Sequence, residues 1–118
     1  MNEDKISRMN EYINMEEALK RVAGNTNIFK KLIASYKNNT YAEKLIEDHN
    51  GGNIEEGVKS AHTIKGVTAN LSFTRLNELS VKIEACLKNG GLCPELIAEL
   101  DEADKLTREY IDYITETT

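Results

Sequence analysis

His62, Lys65 and Gly66 are the residues whose types and spacing best suit group-transfer chemistry in this chain. They lie in the stretch Ser60-Ala61-His62-Thr63-Ile64-Lys65-Gly66-Val67-Thr68-Ala69-Asn70-Leu71. A neutral imidazole keeps a nitrogen lone pair and can act as a nucleophile. On a helix, Lys65 at i+3 and Lys59 at i−3 both come within reach of the ring. Two ammonium groups beside an exposed imidazole disfavour its protonated form. The same groups can neutralise a dianionic phosphoryl group placed on that nitrogen.

The chemistry needs a stiff support, and the pattern predicts a helix. Ile54, Val58, Ala61, Ile64, Thr68 and Leu71 recur at spacings of three or four and form one apolar stripe, with Lys65 at its margin. Glu55, Lys59, His62, Gly66 and Ala69 form a second lane, about 100–120° away at helical pitch. His62 is thus expected at the border of the buried face or just outside it. A glycine inside a helix costs about 0.5–1 kcal/mol against alanine. Gly66, one turn after His62, leaves bare backbone where a bulky partner can approach the ring, and Ala69 extends that low surface.

The remaining elements read as helices too. Residues 4–12 are expected to form a loose helical turn anchored by Ile6, Met9 and Ile13. Asn14 is a suitable N-cap for a short helix from Met15, with Glu16 and Glu17 in its first turn and Gly24 as a left-handed stop. Asn25 or Thr26 caps the next helix, whose apolar side is Ile28, Phe29, Leu32, Ile33, Tyr36, Ala42, Leu45 and Ile46. Lys37-Asn38-Asn39-Thr40 is a polar weak spot in it, either a bend or a solvated flank. Asn50-Gly51-Gly52-Asn53 ends this helix and caps the one bearing His62, which runs to about Asn70. Ser72 or Thr74 caps the following helix, with its apolar line at Leu76, Leu79, Ile83, Cys86 and Leu87. Asn89-Gly90-Gly91 closes it, and Pro94 opens the last helix at the position proline favours. The expected fold is all-α: an antiparallel up-down four-helix bundle with a short additional N-terminal helix. It is read as one domain over 1–118, the short helix at about 15–23 and the bundle at about 26–117. A bundle of this kind holds a site on a rigid helix rather than on a loop.

Composition narrows the function. The 118 residues suffice for one domain with a real core. A net charge of −5 argues against nucleic acid as the main partner, because phosphate contacts need clustered Lys and Arg. No apolar run is long enough for a membrane span. Met1-Asn2-Glu3-Asp4-Lys5 lacks the order of a signal peptide. Cys86 and Cys93 match no zinc or redox spacing, and are expected to be reduced thiols of a cytoplasmic protein, Cys86 on a buried face and Cys93 in a turn. His49 is expected to interact with a helix C-terminus. A zinc site from His49, His62, Cys86 and Cys93 has no accepted spacing.

Ala61-His62-Thr63-Ile64-Lys65-Gly66 resembles the signature of histidine-containing phosphotransfer (HPt) domains, close to Ala-His-x-Leu-Lys-Gly. Ala69-Asn70-Leu71, Leu76 and Ile83-Glu84 continue the resemblance downstream. Met15 to Asn25 resembles the family's short first helix, which ends in Gly-Asp or Gly-Asn. Ser72 departs from it, standing where the family usually has glycine between helices. The resemblance implies a phosphorelay intermediate: His62 accepts a phosphoryl group from the aspartate of a receiver domain and passes it to a second receiver. It gives Lys65 the stabilisation of phosphate, and makes Lys59, Gly66 and Ala69 a docking surface, with Ile13, Met15 and Phe29 as further apolar contacts. Glu84 is assigned a structural hydrogen bond or salt bridge, and Lys82 and Lys88 are assigned to solvent. Response-regulator receivers, or a hybrid sensor histidine kinase, are the implied partners, with Mg²⁺ on the receiver and no cofactor on this chain. No metal site, membrane or nucleic-acid contact is expected, and a monomer is the simplest state. No Walker motif or kinase glycine-rich loop is present, so no ATP site is expected. The alternative is a helical-bundle adaptor that binds receivers without carrying phosphate, for which Ser72 and the polar residues 37–41 leave room. A metal or cofactor bundle would need inward-facing Glu and His pairs, which the pattern lacks.

Overall fold

The computed structural model describes residues 3–116, all helices and short links; residues 1, 2, 117 and 118, at the ends of the expected domain, lie outside the described residues. The helices are α1 Glu3–Tyr12, α2 Met15–Arg21, α3 Thr26–Ser35, α4 Tyr41–Asn50, α5 Ile54–Leu71, α6 Thr74–Lys88 and α7 Pro94–Glu116, with one 3-10 turn, Tyr36–Asn38, between α3 and α4. They form a helical bundle around a core that includes Ile33, Leu45, Ala61, Ile64, Leu79, Ile83, Leu100 and Ile111.

The hairpin of α5 and α6 positions the site. Gly57 lies against Leu87, His62 against Glu84, and Thr68 against Asn77, so the two helices run antiparallel. A Cβ on Gly57 would sit 3.0 Å from Leu87 Cδ1, so this glycine permits the close approach of the two helices. The link between them turns at Ser72, which takes the left-handed conformation at φ 59°. Phe73 then closes back, its N–H donating to Thr68 O at 2.9 Å. Ser72, which departs from the glycine of the resemblance noted above, thus takes a left-handed turn itself. Its hydroxyl donates to Glu17 at 2.9 Å, and its carbonyl accepts from Asn14 N–H at 2.8 Å, which fastens α2 to the end of α5.

The weak spot at residues 37–40 is a real break. The chain leaves α3 through the 3-10 turn, and Asn39 is extended. Carbonyls freed by the break need donors, and α7 supplies them. Arg108 donates to Lys37 O at 3.1 Å and to Asn39 O at 3.0 Å. Its Nε also holds Asp104 at 2.9 Å, while the buried Tyr36 hydroxyl donates to Asp104 at 2.7 Å. Burial, and then the Asp104 charge, push the Tyr36 phenol far up, so it remains a donor.

Other local expectations are revised. Residues 3–12 form a full helix rather than a loose turn; Met9 and Ile13 are buried, but Ile6 is exposed. Asn14 and Asn25 cap α2 and α3 as their types suggest, accepting from Glu17 and Ile28 N–H. Asn53 caps α5 by position without a side-chain bond, and Phe73, not Ser72 or Thr74, holds the cap position of α6. Thr74 instead donates to Glu11 O at 2.8 Å, tying α1 to the α5–α6 corner. Ile28 and Leu32, read as part of the apolar side of α3, are 47% and 44% exposed. Cys93 is buried and Cys86 only half-buried, the reverse of what helix and turn positions suggest. His49 stands in the last turn of α4, as expected, and is buried there. Its Nε2 accepts from Cys93 N–H at 2.9 Å, so the ring hydrogen is on Nδ1, facing Asn50 Oδ1.

Candidate functional site

His62 projects from the middle of α5 with its side chain 68% exposed. Helix pitch puts it one step outside the buried line formed by Gly57, Ala61, Ile64 and Thr68. One ring nitrogen is held: Nδ1 lies 3.0 Å from Oε2 of Glu84 on α6. A carboxylate only accepts, so Nδ1 carries the hydrogen and the lone pair of the neutral ring resides on Nε2. The site therefore presents one oriented nucleophilic nitrogen on an exposed ring.

Glu84 is the hub of this arrangement. Its side chain is only 8% exposed. The second oxygen, Oε1, accepts from Lys65 Nζ at 2.8 Å, and Lys88 Nζ stands 3.8 Å from Oε2. The Lys65 ammonium holds the Glu84 carboxyl below its ordinary range despite burial, and the His62 bond and the Lys88 charge add to this. An ionised, buried carboxylate is tolerated because it is paired and hydrogen-bonded. Two ammonium groups against one carboxylate leave net positive charge beside the ring. That charge is available to an incoming anion.

The lane beyond the ring is open. A Cβ on Gly66 would meet nothing within 4 Å, and Ala69 is exposed. Beneath Gly66 the helix is buttressed from α6: the Asn77 amide donates to Lys65 O at 2.9 Å and reaches Thr68 Oγ1 at 3.3 Å. The platform is thus fixed from behind while its outer surface stays low.

Of the residues singled out from the sequence, the structure brings His62, Lys65, Gly66 and Ala69 onto one exposed strip. Lys59 is on the same helix but turns away, lying 3.4 Å from Glu56, and contributes no contact to the ring. The cationic partner of Lys65 is instead Lys88, which was assigned to solvent. Glu84 was assigned a structural bond; it makes two, and both are to site residues. An i,i+4 pair of Glu84 and Lys88 on the predicted apolar helix was the available signal for both. Ile13 and Phe29 are 0% and 3% exposed, so neither is a docking residue, and Met15 is half-buried. Ile13 and Phe29 were misplaced because helical periodicity locates an apolar face but not which side of the bundle it meets.

The family model for the Hpt domain matches residues 14–110. The chain belongs to the Hpt domain family. The matched span runs from the cap of α2 into the last third of α7 and includes the whole site. Hpt domains are phosphocarrier modules rather than ATP-binding enzymes, and they serve histidine phosphotransfer in two-component phosphorelays through the receiver domains of response regulators and kinases. No curated relative and no solved structure matches the chain. No helix among the described residues is long and apolar enough to cross a membrane.

Proposed function

We propose that His62 is the phosphoacceptor of this Hpt domain, taking a phosphoryl group from the aspartyl phosphate of one receiver and giving it to the aspartate of another. The observation that carries this reading is the bond from His62 Nδ1 to buried Glu84, made by a ring that is itself exposed. Nε2 attacks phosphorus, the new N–P bond forms as the acyl-phosphate O–P bond breaks, and the receiver aspartate leaves as a carboxylate. The imidazole gains positive charge as the bond forms. Glu84, already ionised against Nδ1–H, stabilises that charge without rearranging. Lys65, one turn along the same helix and shared with Glu84, stabilises the phosphoryl oxygens, and Lys88 adds to the local positive charge. Mg²⁺ and the remaining catalytic groups come with the receiver. In-line transfer of this kind is largely a matter of position and charge.

The docking surface in this reading follows α5 from His62 past Gly66 and Ala69. It continues onto exposed apolar residues at its far end, where Leu32 lines a shallow pocket with Val22 and Leu71, and Ile28 lies one turn from Leu32 on α3. Lys59 lies at the opposite margin, and its surface pair with Glu56 is weak enough to be released on contact. The chain is taken to act as one domain over 1–118, as a cytoplasmic monomer.

The decisive experiment mixes the protein with receivers charged by acetyl phosphate and Mg²⁺. The expected result is an acid-labile label on His62, absent in His62→Gln. Binding of the charged receiver with the label kept on the receiver and none reaching this chain would instead make the chain an adaptor.

A further inference from the structure

Where α1, α2, α3 and α7 come together they leave an open groove of about 400 Å³. Met9, Phe29 and Ile114 form its floor, all buried. Met15 and Leu19 on α2 and Tyr113 on α7 form its walls and are half-buried. No Asp or Glu lines it, in a chain with 20 acidic residues against 15 basic ones. A single ammonium does. Lys30 on α3 lines the groove half-buried, and among the described residues no carboxylate pairs with it. The cations at other grooves are matched within the chain: Lys59 by Glu56, Arg21 by Glu17 and Arg75 by Glu78. Lys5 of α1, its Nζ 5.1 Å from the Tyr113 ring centroid, brings a second positive charge to the same wall.

We infer that this groove is a binding site for a small aryl carboxylate, with its ring between α2 and α7 and its carboxylate on Lys30. The inference stands apart from the phosphotransfer reading, since none of these residues belongs to the His62 strip. Small-molecule sites run from about 300 to 1,000 Å³, so this one takes one or two rings. An α-helix, about 10–12 Å across with its side chains, is too wide for it. The lining favours a flat apolar body. Phe29 and Tyr113 offer ring contacts. The thioethers of Met9 and Met15 are flexible and polarisable, and make favourable contacts with aromatic edges. Polar groups converge at one end only, which fixes the orientation: Lys30 supplies the charge, and Asn27, three residues earlier on α3, adds an amide donor on the same helix face. A neutral ligand would leave the Lys30 ammonium further desolvated without a counter-charge. An anion with no apolar body would leave the floor uncovered. Because the walls come from separate helices, occupancy also ties α1 and α2 to α3 and α7 and stabilises the fold by mass action.

The test titrates the whole protein with naphthoate and follows backbone amides and methionine methyls by NMR. The expected result is saturable one-to-one binding, with the largest shifts at Met9, Met15, Leu19, Lys30 and Tyr113, and Overhauser contacts from the naphthalene ring to the methyls of Met9 and Met15. Naphthylmethanol, the neutral analogue, should bind about fivefold more weakly, the worth of one partly exposed ion pair. Lys30→Gln should weaken naphthoate by about the same factor and leave the alcohol unchanged, while Lys30→Arg should retain naphthoate. Absence of saturable shifts, equal affinity for acid and alcohol, naphthoate binding unchanged in Lys30→Gln, or shifts centred on Gly66 and Ala69 would each overturn the proposal. So would the same shifts on concentrating the protein alone, which would assign the groove to a second copy of the chain.

Discussion

Nδ1 of His62 and Oε2 of Glu84 lie 3.0 Å apart, joining an exposed ring on α5 to a buried carboxylate on α6. The bond does two things: it fixes the tautomer and it opposes the charge that forms on the ring during attack. Two variants separate them. Glu84→Gln keeps a carbonyl acceptor for Nδ1–H but loses the charge; Glu84→Ala loses both. A hydrogen bond to a charged group is worth about 1.5–3 kcal/mol. Phosphoryl uptake should therefore slow about tenfold in Glu84→Gln and about a hundredfold in Glu84→Ala. ¹⁵N spectra of the imidazole should report a single tautomer in wild type and Glu84→Gln, and a mixture in Glu84→Ala. Equal rates in all three proteins would remove Glu84 from the mechanism.

The same carboxylate makes the fold sensitive to acid. Lys65 above all, with His62 and Lys88, lowers the Glu84 pKa from an ordinary 4.5, so the folded state binds its proton less readily than the unfolded chain. The resulting stability is fully present above pH 4.5 and is lost as pH falls through the lower folded value. Denaturant midpoints of wild type and Glu84→Gln, measured from pH 7 down to pH 3, should converge at the acid end. A constant difference across that range would show that the ionised form contributes nothing.

Two glycines of α5 should respond in opposite ways. Nothing lies within 4 Å of a Cβ on Gly66, whereas one on Gly57 would press Leu87 Cδ1 at 3.0 Å. Gly66→Ala should stabilise the protein by about 0.5–1 kcal/mol, the helix-propensity gain. Gly57→Ala should lose that gain to crowding of a buried leucine and come out neutral or destabilised by about 1 kcal/mol. Gly66→Gln should melt no lower than wild type, yet fail to take phosphate from a receiver. Normal uptake by Gly66→Gln would show that the open strip is not where the partner lies.

The contrast between those glycines marks what could be read from residue order. Gly66 was legible because it stands four residues from a histidine on one helical lane. Gly57 was not, because its reason is Leu87, thirty positions away across a helix pair. The core faces of α5, α6 and α7 follow helical periodicity, and so does the exposure of His62. Lys59 and Lys88 could not be sorted by spacing. Each is an exposed lysine near the ring, and which one joins the site depends on whether Glu56 or Glu84 holds it. Likewise the break at residues 37–40 was visible as polar sequence, but its stability comes from Arg108 on a distant helix.

Ser72 gives a prediction of its own. Its left-handed backbone favours glycine, while its hydroxyl donates to Glu17 and is the main cause of the lowered Glu17 pKa. Ser72→Gly should relieve the backbone, a gain of about 1 kcal/mol, and lose the bond, so its stability should stay near wild type. Ser72→Ala should lose the bond and keep the strain, and so be less stable than both wild type and Ser72→Gly. NMR titration should show the Glu17 carboxyl rising toward its ordinary value in both. If Ser72→Ala were the more stable of the two, the left-handed turn would not be the reason glycine suits this position.

Arg108 offers the sharpest test of how the broken arm of the bundle is held. The side chain donates to two carbonyls at the break, pairs with Asp104 at 2.9 Å, and lays its guanidinium 5.0 Å from the Tyr36 ring centroid. Removing it leaves Asp104, only 12% exposed, held by the Tyr36 hydroxyl. Arg108→Ala should therefore destabilise the fold by about 2–4 kcal/mol, within the range for breaking a buried polar network. Arg108→Lys should recover only part of this, since an ammonium cannot reproduce the planar fork that spans Asp104 and both carbonyls. Hydrogen exchange should localise the damage to residues 36–42, where the backbone relies on Arg108, and leave the α5–α6 hairpin protected. If exchange instead rose uniformly through α5 and α6, the break would be part of the same cooperative unit as the site, and its latch could not be separated from the platform that carries His62.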